Sequence, residues 1–153
     1  MSVSPDVVGR ELATITTTIE RGRLRFFAEA TGQTDPIYSD PDAAMAAGFP
    51  DLPVPPTFLF GLKLEQSDPF EWIDELGIDM RFVLHGTQRF DYHAMVFAGD
   101  ELQLSQRISE VYEKRGGALE FVTVEAEVTR GGDAIATLAE TLVVRHPELE
   151  AAK

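Results

Sequence analysis

The spacing of apolar positions changes character twice along the chain. Residues 11–18 (Glu11-Leu12-Ala13-Thr14-Ile15-Thr16-Thr17-Thr18) are rich in threonine and predict a first strand. From Glu20 to Ala30 the spacing is helical. Leu24, Phe27 and Ala28 share one face, with Arg21, Arg25 and Glu29 mostly off it. Gly32 is placed to end that helix. Asp40 and Pro41 open a second short helix with 43–47 as its body, and Gly48 stops it. Pro53, Pro55 and Pro56 then force an extended approach. Residues 57–64 are apolar nearly all round, the pattern of a helix buried on most sides. Residues 67–79 form a more polar insertion with a short helix at 70–73.

From Arg81 the period becomes two. Phe82, Leu84, Gly86, Phe90, Tyr92 and Val96 fall on one face, with Gln88 as the polar exception. Arg81, His85, Thr87, Arg89, Asp91 and His93 fall on the other, with Val83 as the apolar exception. Gly86 on the apolar side is expected to admit a closely packed helix. Three more strands follow at 101–112, 118–130 and 134–145, separated by turns at Gly116-Gly117 and Gly131-Gly132-Asp133. Segregated helices and a meander of strands predict an α+β domain. Its antiparallel sheet has about five strands and wraps the buried helix at 57–64. The chain reads as one domain over 1–153, with a core at about 8–145 and a tail at 146–153 expected to fray.

Composition narrows the function. The hydrophobic share of 44% and charged share of 25% are those of a soluble globular protein. No run reaches the ~18 apolar residues of a membrane span. The first residues have neither a basic nor an apolar signal region, so a cytoplasmic location is expected. Without cysteine there is no disulfide, thiolate nucleophile or cysteine-held zinc. A formal charge of −13 argues against a nucleic-acid partner. Ten of the thirteen basic residues are arginine, which suits bidentate contacts to a small anionic ligand.

The densest group of polar side chains is the loop Thr31-Gly32-Gln33-Thr34-Asp35-Pro36-Ile37-Tyr38-Ser39-Asp40. Such a loop can gather functional groups at one point, or its acids can simply start turns and cap helices. His85 and His93, with Arg89 and Asp91, could lie near a site or a subunit boundary, or form a solvated strand face. Arg21, Arg23 and Arg25 could meet phosphates or line a solvated helix face. No His-His-carboxylate spacing suggests a metal.

The segments Phe27-Ala28-Glu29-Ala30-Thr31-Gly32-Gln33-Thr34-Asp35-Pro36-Ile37-Tyr38-Ser39-Asp40, Ala47-Gly48-Phe49 and Pro55-Pro56-Thr57-Phe58 resemble the MaoC-like hydratase/dehydratase family. Leu84-His85-Gly86-Thr87-Gln88-Arg89-Phe90-Asp91-Tyr92-His93, with Ala98-Gly99-Asp100, resembles its N-terminal branch, which includes non-catalytic partner subunits of 3-hydroxyacyl dehydratases. The resemblance implies a hot dog fold and interconversion of (3R)-hydroxyacyl and trans-2-enoyl thioesters. Coenzyme A or acyl carrier protein would be the carrier, with no cofactor. It also implies a dimer, either a homodimer or a heterodimer with a catalytic MaoC-like subunit.

Active members carry Asp-x-Asn-Pro-x-His in this loop. The Asp and His activate the water that adds across the double bond, and a backbone N–H at the start of the central helix steadies the enolate-like oxygen. On this chain the Asp position falls on Gln33, the His on Tyr38, the Asn on Asp35, and the glycine opening the central helix on Thr57. A glutamine amide is no base at neutral pH. The resemblance therefore points to a thioester-binding subunit whose partner supplies the Asp and His. Asp35, Tyr38 and His85 are the candidate catalytic groups, and Gln33, Thr57 and Arg89 the candidate substrate contacts. The alternatives are a stand-alone hydratase with altered acid/base residues, a non-enzymatic acyl-CoA binder, and a thioesterase.

Overall fold

A computed structural model describes residues 3–150, without the side chain of Glu150. Five antiparallel strands form one sheet: β1 (Ile15–Thr18), β2 (Val83–Tyr92), β3 (Glu101–Lys114), β4 (Leu119–Arg130) and β5 (Asp133–Arg145), in the order β1-β3-β4-β5-β2. The α+β class and the wrapped antiparallel sheet are as the pattern predicts. The long strands follow from strict alternation. Leu102, Leu104 and Ile108 of β3, Val122, Val124, Ala126 and Val128 of β4, and Leu138, Leu142 and Val144 of β5 are all buried on the inner face. Each of these valine, leucine and isoleucine side chains contributes roughly 1.5–3 kcal/mol by leaving water.

α1 (Arg21–Ala30) buries Leu24 and Ala28, and Gly32 ends it at a φ of 69°. α2 (Pro41–Ala46) is capped by Asp40, whose carboxylate accepts from the Asp42 N–H at 2.9 Å. The central helix differs from expectation. It is a 3-10 helix, Phe58–Glu65, entered from Thr57 in the left-handed region at a φ of 75°. Three residues per turn stack Leu59 directly over Leu62, so burial gathers on one side. Leu64 is left 44% exposed.

The first strand is shorter than 11–18. Past Glu11, which bridges Arg107, the register slips, and the Gln106 side-chain amide takes the Ala13 carbonyl at 3.1 Å in place of a ladder bond. β2 also stops early. Beyond Tyr92 the chain turns to the 52–54 segment, with Val54 N–H donating to the Val96 carbonyl and Ala98 N–H to that of Leu52.

The 67–79 insertion is less polar in role than in composition. It carries α3 (Glu71–Glu75) and drives Ile73 and Ile78 into a second core cluster with Val3, Ile108, Val122, Leu142 and Val144. At the C-terminal end, α4 (Pro147–Glu150) follows β5. The buried Glu120 carboxylate accepts from the Val3 N–H at 2.6 Å and lies 3.1 Å from His146 Nε2. The rest of the expected tail, 151–153, lies outside the described residues.

Gly86 is the local irregularity that matters most. The pairing of β2 with β5 runs His85 to Leu142 and then Thr87 to Thr141, so Gly86 is an extra, bulged residue. A Cβ there would stand 2.9 Å from both the Thr141 carbonyl oxygen and Val143 Cγ2. The glycine admits a neighbouring strand rather than a helix. Plain alternation therefore fails across it. Val83 and His85 line a cavity on the inner side with Leu142, while Leu84 is 53% exposed. Past the bulge the inner face passes to Gln88 and Phe90, opposite Glu140 and Leu138.

Candidate functional site

The polar loop sits at the end of α1, where Thr31 and Gly32 turn the chain. Its side chains are aimed at its own backbone. Gln33 Oε1 accepts from the Asp35 N–H at 3.0 Å, and Asp35 Oδ1 accepts from the Ile37 N–H at 3.1 Å. Asp35 thus caps the 3-10 turn Pro36–Tyr38, the usual use of an acid before proline. Tyr38 is half-buried and lines a cavity of about 350 Å³ with Pro56, Leu59, Tyr92 and Met95.

At the mouth of this cavity the central helix begins. The Thr57 N–H is already engaged: it donates to the Tyr92 hydroxyl oxygen at 3.1 Å. Tyr92 reaches it from the end of β2, on the inner face of the sheet. Burial pushes the Tyr92 phenol above its ordinary pKa, against the pull of the Thr57 N–H, which favours the phenolate. The position predicted to steady a thioester oxygen holds a phenol instead. A φ of 75° at Thr57 is one that a glycine would hold without strain.

His85 and Arg89 lie apart from this cavity. His85 lines a separate cavity beneath the insertion, stacked on Phe60 with ring centres 5.3 Å apart. Arg89 lies on the outer face, 74% exposed and paired with Asp91 at 2.8 Å. His93 borders the Tyr38 cavity, with Nε2 3.4 Å from Thr137 Oγ1. The three arginines of α1 are each engaged. Arg21 grips Asp51 with both ends of its guanidinium, at 2.9 and 2.6 Å, which lowers the Asp51 pKa and raises its own. Arg23 pairs with Glu65, and Arg25 Nε donates to the Ser39 carbonyl at 2.7 Å.

Sequence reasoning missed three groups: Tyr92, Lys63 and Glu140. Lys63 on the central helix pairs with Glu140 on the inner face of β5, with side chains only 19% and 12% exposed. Burial lowers the Lys63 pKa to about 8. The signal was present. Lys63 interrupts an apolar run, and Glu140 takes the same parity as Leu138 and Leu142. Among the described residues, no cluster of three or more His, Asp or Glu could hold a metal ion. No helix among them is long and apolar enough to cross a membrane.

Residues 6–138 match the model of the FAS1-like, dehydratase domain region. The chain belongs to this family. A UPF0336 protein of Saccharopolyspora erythraea is 36% identical over 147 residues, 95% of this chain and 93% of the relative. Among solved structures, the chain is similar to the C-terminally truncated HadBC (3R-hydroxyacyl-ACP dehydratase) complex from Mycobacterium tuberculosis. That match has a TM-score of 0.70 at 23% identity and covers 86% of this chain and 92% of the other. The ChsH1-ChsH2 complex from the same organism gives a TM-score of 0.72 at 20% identity, covering 89% and 84%. At that identity the likeness speaks for the fold, which is the hot dog fold expected from the sequence.

Proposed function

We propose that this FAS1-like dehydratase-family chain is the thioester-binding subunit of a (3R)-hydroxyacyl-CoA or -ACP dehydratase, with a partner supplying the acid/base pair. The observation that carries this reading is the Thr57 N–H bound to Tyr92. Hydration of an enoyl thioester needs a base for the attacking water, an acid for C2 and a donor to the carbonyl oxygen. Here the donor is capped by a phenol. The loop that would hold the base is turned inward, with Gln33 and Asp35 bonded to backbone. Asp35, Tyr38 and His85 do not converge, since Tyr38 and His85 line different cavities.

Two further features favour a partner. The HadBC and ChsH1-ChsH2 structures are both complexes of two kinds of subunit. In this chain β2 stands at the edge of the sheet, which leaves one side of its backbone open to pairing with another strand. The thioester would lie along the Tyr38 cavity, and no cofactor is required. The chain would then work in the cytoplasm.

The test is an enoyl-thioester hydration assay on the chain alone and on the chain mixed with a partner bearing an intact Asp-x-Asn-Pro-x-His loop. Hydration in the mixture above that of either component is the expected result. Full activity from the pure chain, lost in Asp35→Asn or Tyr38→Phe, would overturn the partner reading in favour of a stand-alone hydratase.

A further inference from the structure

The cavity beneath the 67–79 insertion encloses about 440 Å³, a volume typical of a small-molecule site. It shares no lining residue with the cavity beside Tyr38. Its walls are largely apolar, with Leu12, Phe60, Trp72, Ile73, Val83 and Leu142 among them. Into these walls the fold sets the Lys63–Glu140 pair and His85. Stability does not explain that choice, because apolar residues of similar size generally serve a core as well as or better than a buried ion pair.

The polar atoms there are unbalanced in a definite direction. His85 Nε2 lies 3.1 Å from the Thr87 carbonyl oxygen, which can only accept, so Nε2 carries a proton. In the neutral ring Nδ1 is then an acceptor. It faces Glu140 Oε1, a second acceptor, at 4.0 Å, too far for a hydrogen bond and about right for a donor to come between. A third acceptor, Gln88 Oε1, is buried without a hydrogen-bond partner among the described residues. Gln88 lines a void of about 20 Å³ together with Phe60, Lys63, Gln106 and Glu140, all four of which also border the larger cavity. A void of that size holds one oxygen atom with its hydrogens.

We propose that this cavity binds a neutral apolar molecule bearing a hydroxyl group, with the hydroxyl seated among Glu140, His85 and Gln88. The hydroxyl donates to one of the waiting acceptors and can accept from Lys63. The apolar body lies against Phe60 and Trp72. Charge argues for a neutral ligand. Lys63 and Glu140 already compensate each other and Arg10 is paired with Glu75, so a carboxylate would meet Glu140 without a free counter-charge; the other charges of the lining, Glu11, Asp68 and Glu71, are exposed acids where an ammonium would gain little over water. An unsubstituted hydrocarbon would leave Gln88 Oε1 unmet. The inference does not depend on the thioester reading, because the two cavities are distinct.

Trp72 is the chain's single tryptophan, so its fluorescence reads this cavity and not the one beside Tyr38. The experiment titrates the full chain with 1-octanol, octyl methyl ether, octanoate and octylamine. The expected result is a saturable change with 1-octanol, about tenfold tighter than with the ether, the worth of one hydrogen bond to a charged or buried acceptor. In the Lys63→Met, Glu140→Gln double variant the preference should fall to about twofold or less. Should that variant not fold, Gln88→Leu removes an acceptor that has no partner to lose, and the preference should drop there too. Equal affinity for alcohol and ether in the unaltered chain would overturn the proposal, leaving a plain apolar cavity. So would tighter octanoate or octylamine, a preference that survives the substitutions, or no saturable change, which would mean a bridging water only.

Discussion

The two cavities handle polar side chains in opposite ways. Beside Tyr38, the groups at the positions where a hydratase keeps its chemistry are bound by their surroundings. Gln33 and Asp35 satisfy backbone N–H groups within the loop, and Tyr92 occupies the Thr57 N–H. Beneath the insertion, where His85 alone was a candidate, one buried acceptor, Gln88 Oε1, has no hydrogen-bond partner among the described residues and borders a void with the Lys63–Glu140 pair. A polar group spent on local backbone contributes stability and is removed from other work. A buried group without a partner costs stability and is therefore the better pointer to a ligand. Functional capacity has to be judged by what remains unsatisfied rather than by how many polar residues share a segment.

The comparison can be broken by substitution. The largest effect should come from Glu140→Ala, which strands Lys63 as an unpaired buried cation. We expect a loss of about 3 kcal/mol or more in urea unfolding, while Lys63→Met with Glu140→Leu should be close to neutral. If the single and double changes cost the same, the pair is not a buried one in the energetic sense.

Next in size is a pH effect. The folded-state Lys63 pKa is lowered to about 8 from an ordinary value of 10.5, so between those values the unfolded chain binds the extra proton. Stability should therefore rise with pH across that window, on the order of 2 kcal/mol, and Lys63→Met should remove the slope. Glu140 beside it opposes the shift, so nitrogen-detected titration of the Lys63 amine is the direct check.

Gly86→Ala should cost about 1–3 kcal/mol, because the new methyl meets the Thr141 carbonyl and the Val143 side chain. In the loop the effects should be smaller. Asp35→Ala loses one cap, about 1 kcal/mol. Thr57→Gly relieves a β-branched residue held at positive φ and should stabilise by up to about 1 kcal/mol. A cost for Thr57→Gly would show that the threonine side chain matters more than its backbone strain.

What could be read in the sequence follows the range of the interactions. Asp40 and Pro41 at a helix start, Gly32 and Gly48 at helix ends, and the period-two runs of β3 to β5 are local, and they were legible. The same local rules supplied Asp35 as a cap. Three features were not legible, because each depends on residues far apart in the chain. Tyr92 reaches Thr57 across 35 positions, Lys63 meets Glu140 across 77, and Gln106 intercepts the Ala13 carbonyl across 93. The face of His85 was misread for another reason. Counting by twos assumes an unbroken ladder, and Gly86 breaks it. The 3-10 form of the central helix was hidden because an apolar run carries no period of its own.

The bulge also bears on how relatives of different length can share one fold. Gly86 is the extra residue in the pairing of β2 with β5, so both halves of the strand keep the facing they would have in a regular ladder. Deleting it would close the ladder while His85 and Gln88 stayed inside and Leu84 and Arg89 stayed outside. A strand of this kind can gain or lose a residue at one point without exchanging its interior for its exterior. A sequence shorter by one at Gly86 would still line the same cavity with the same side chains.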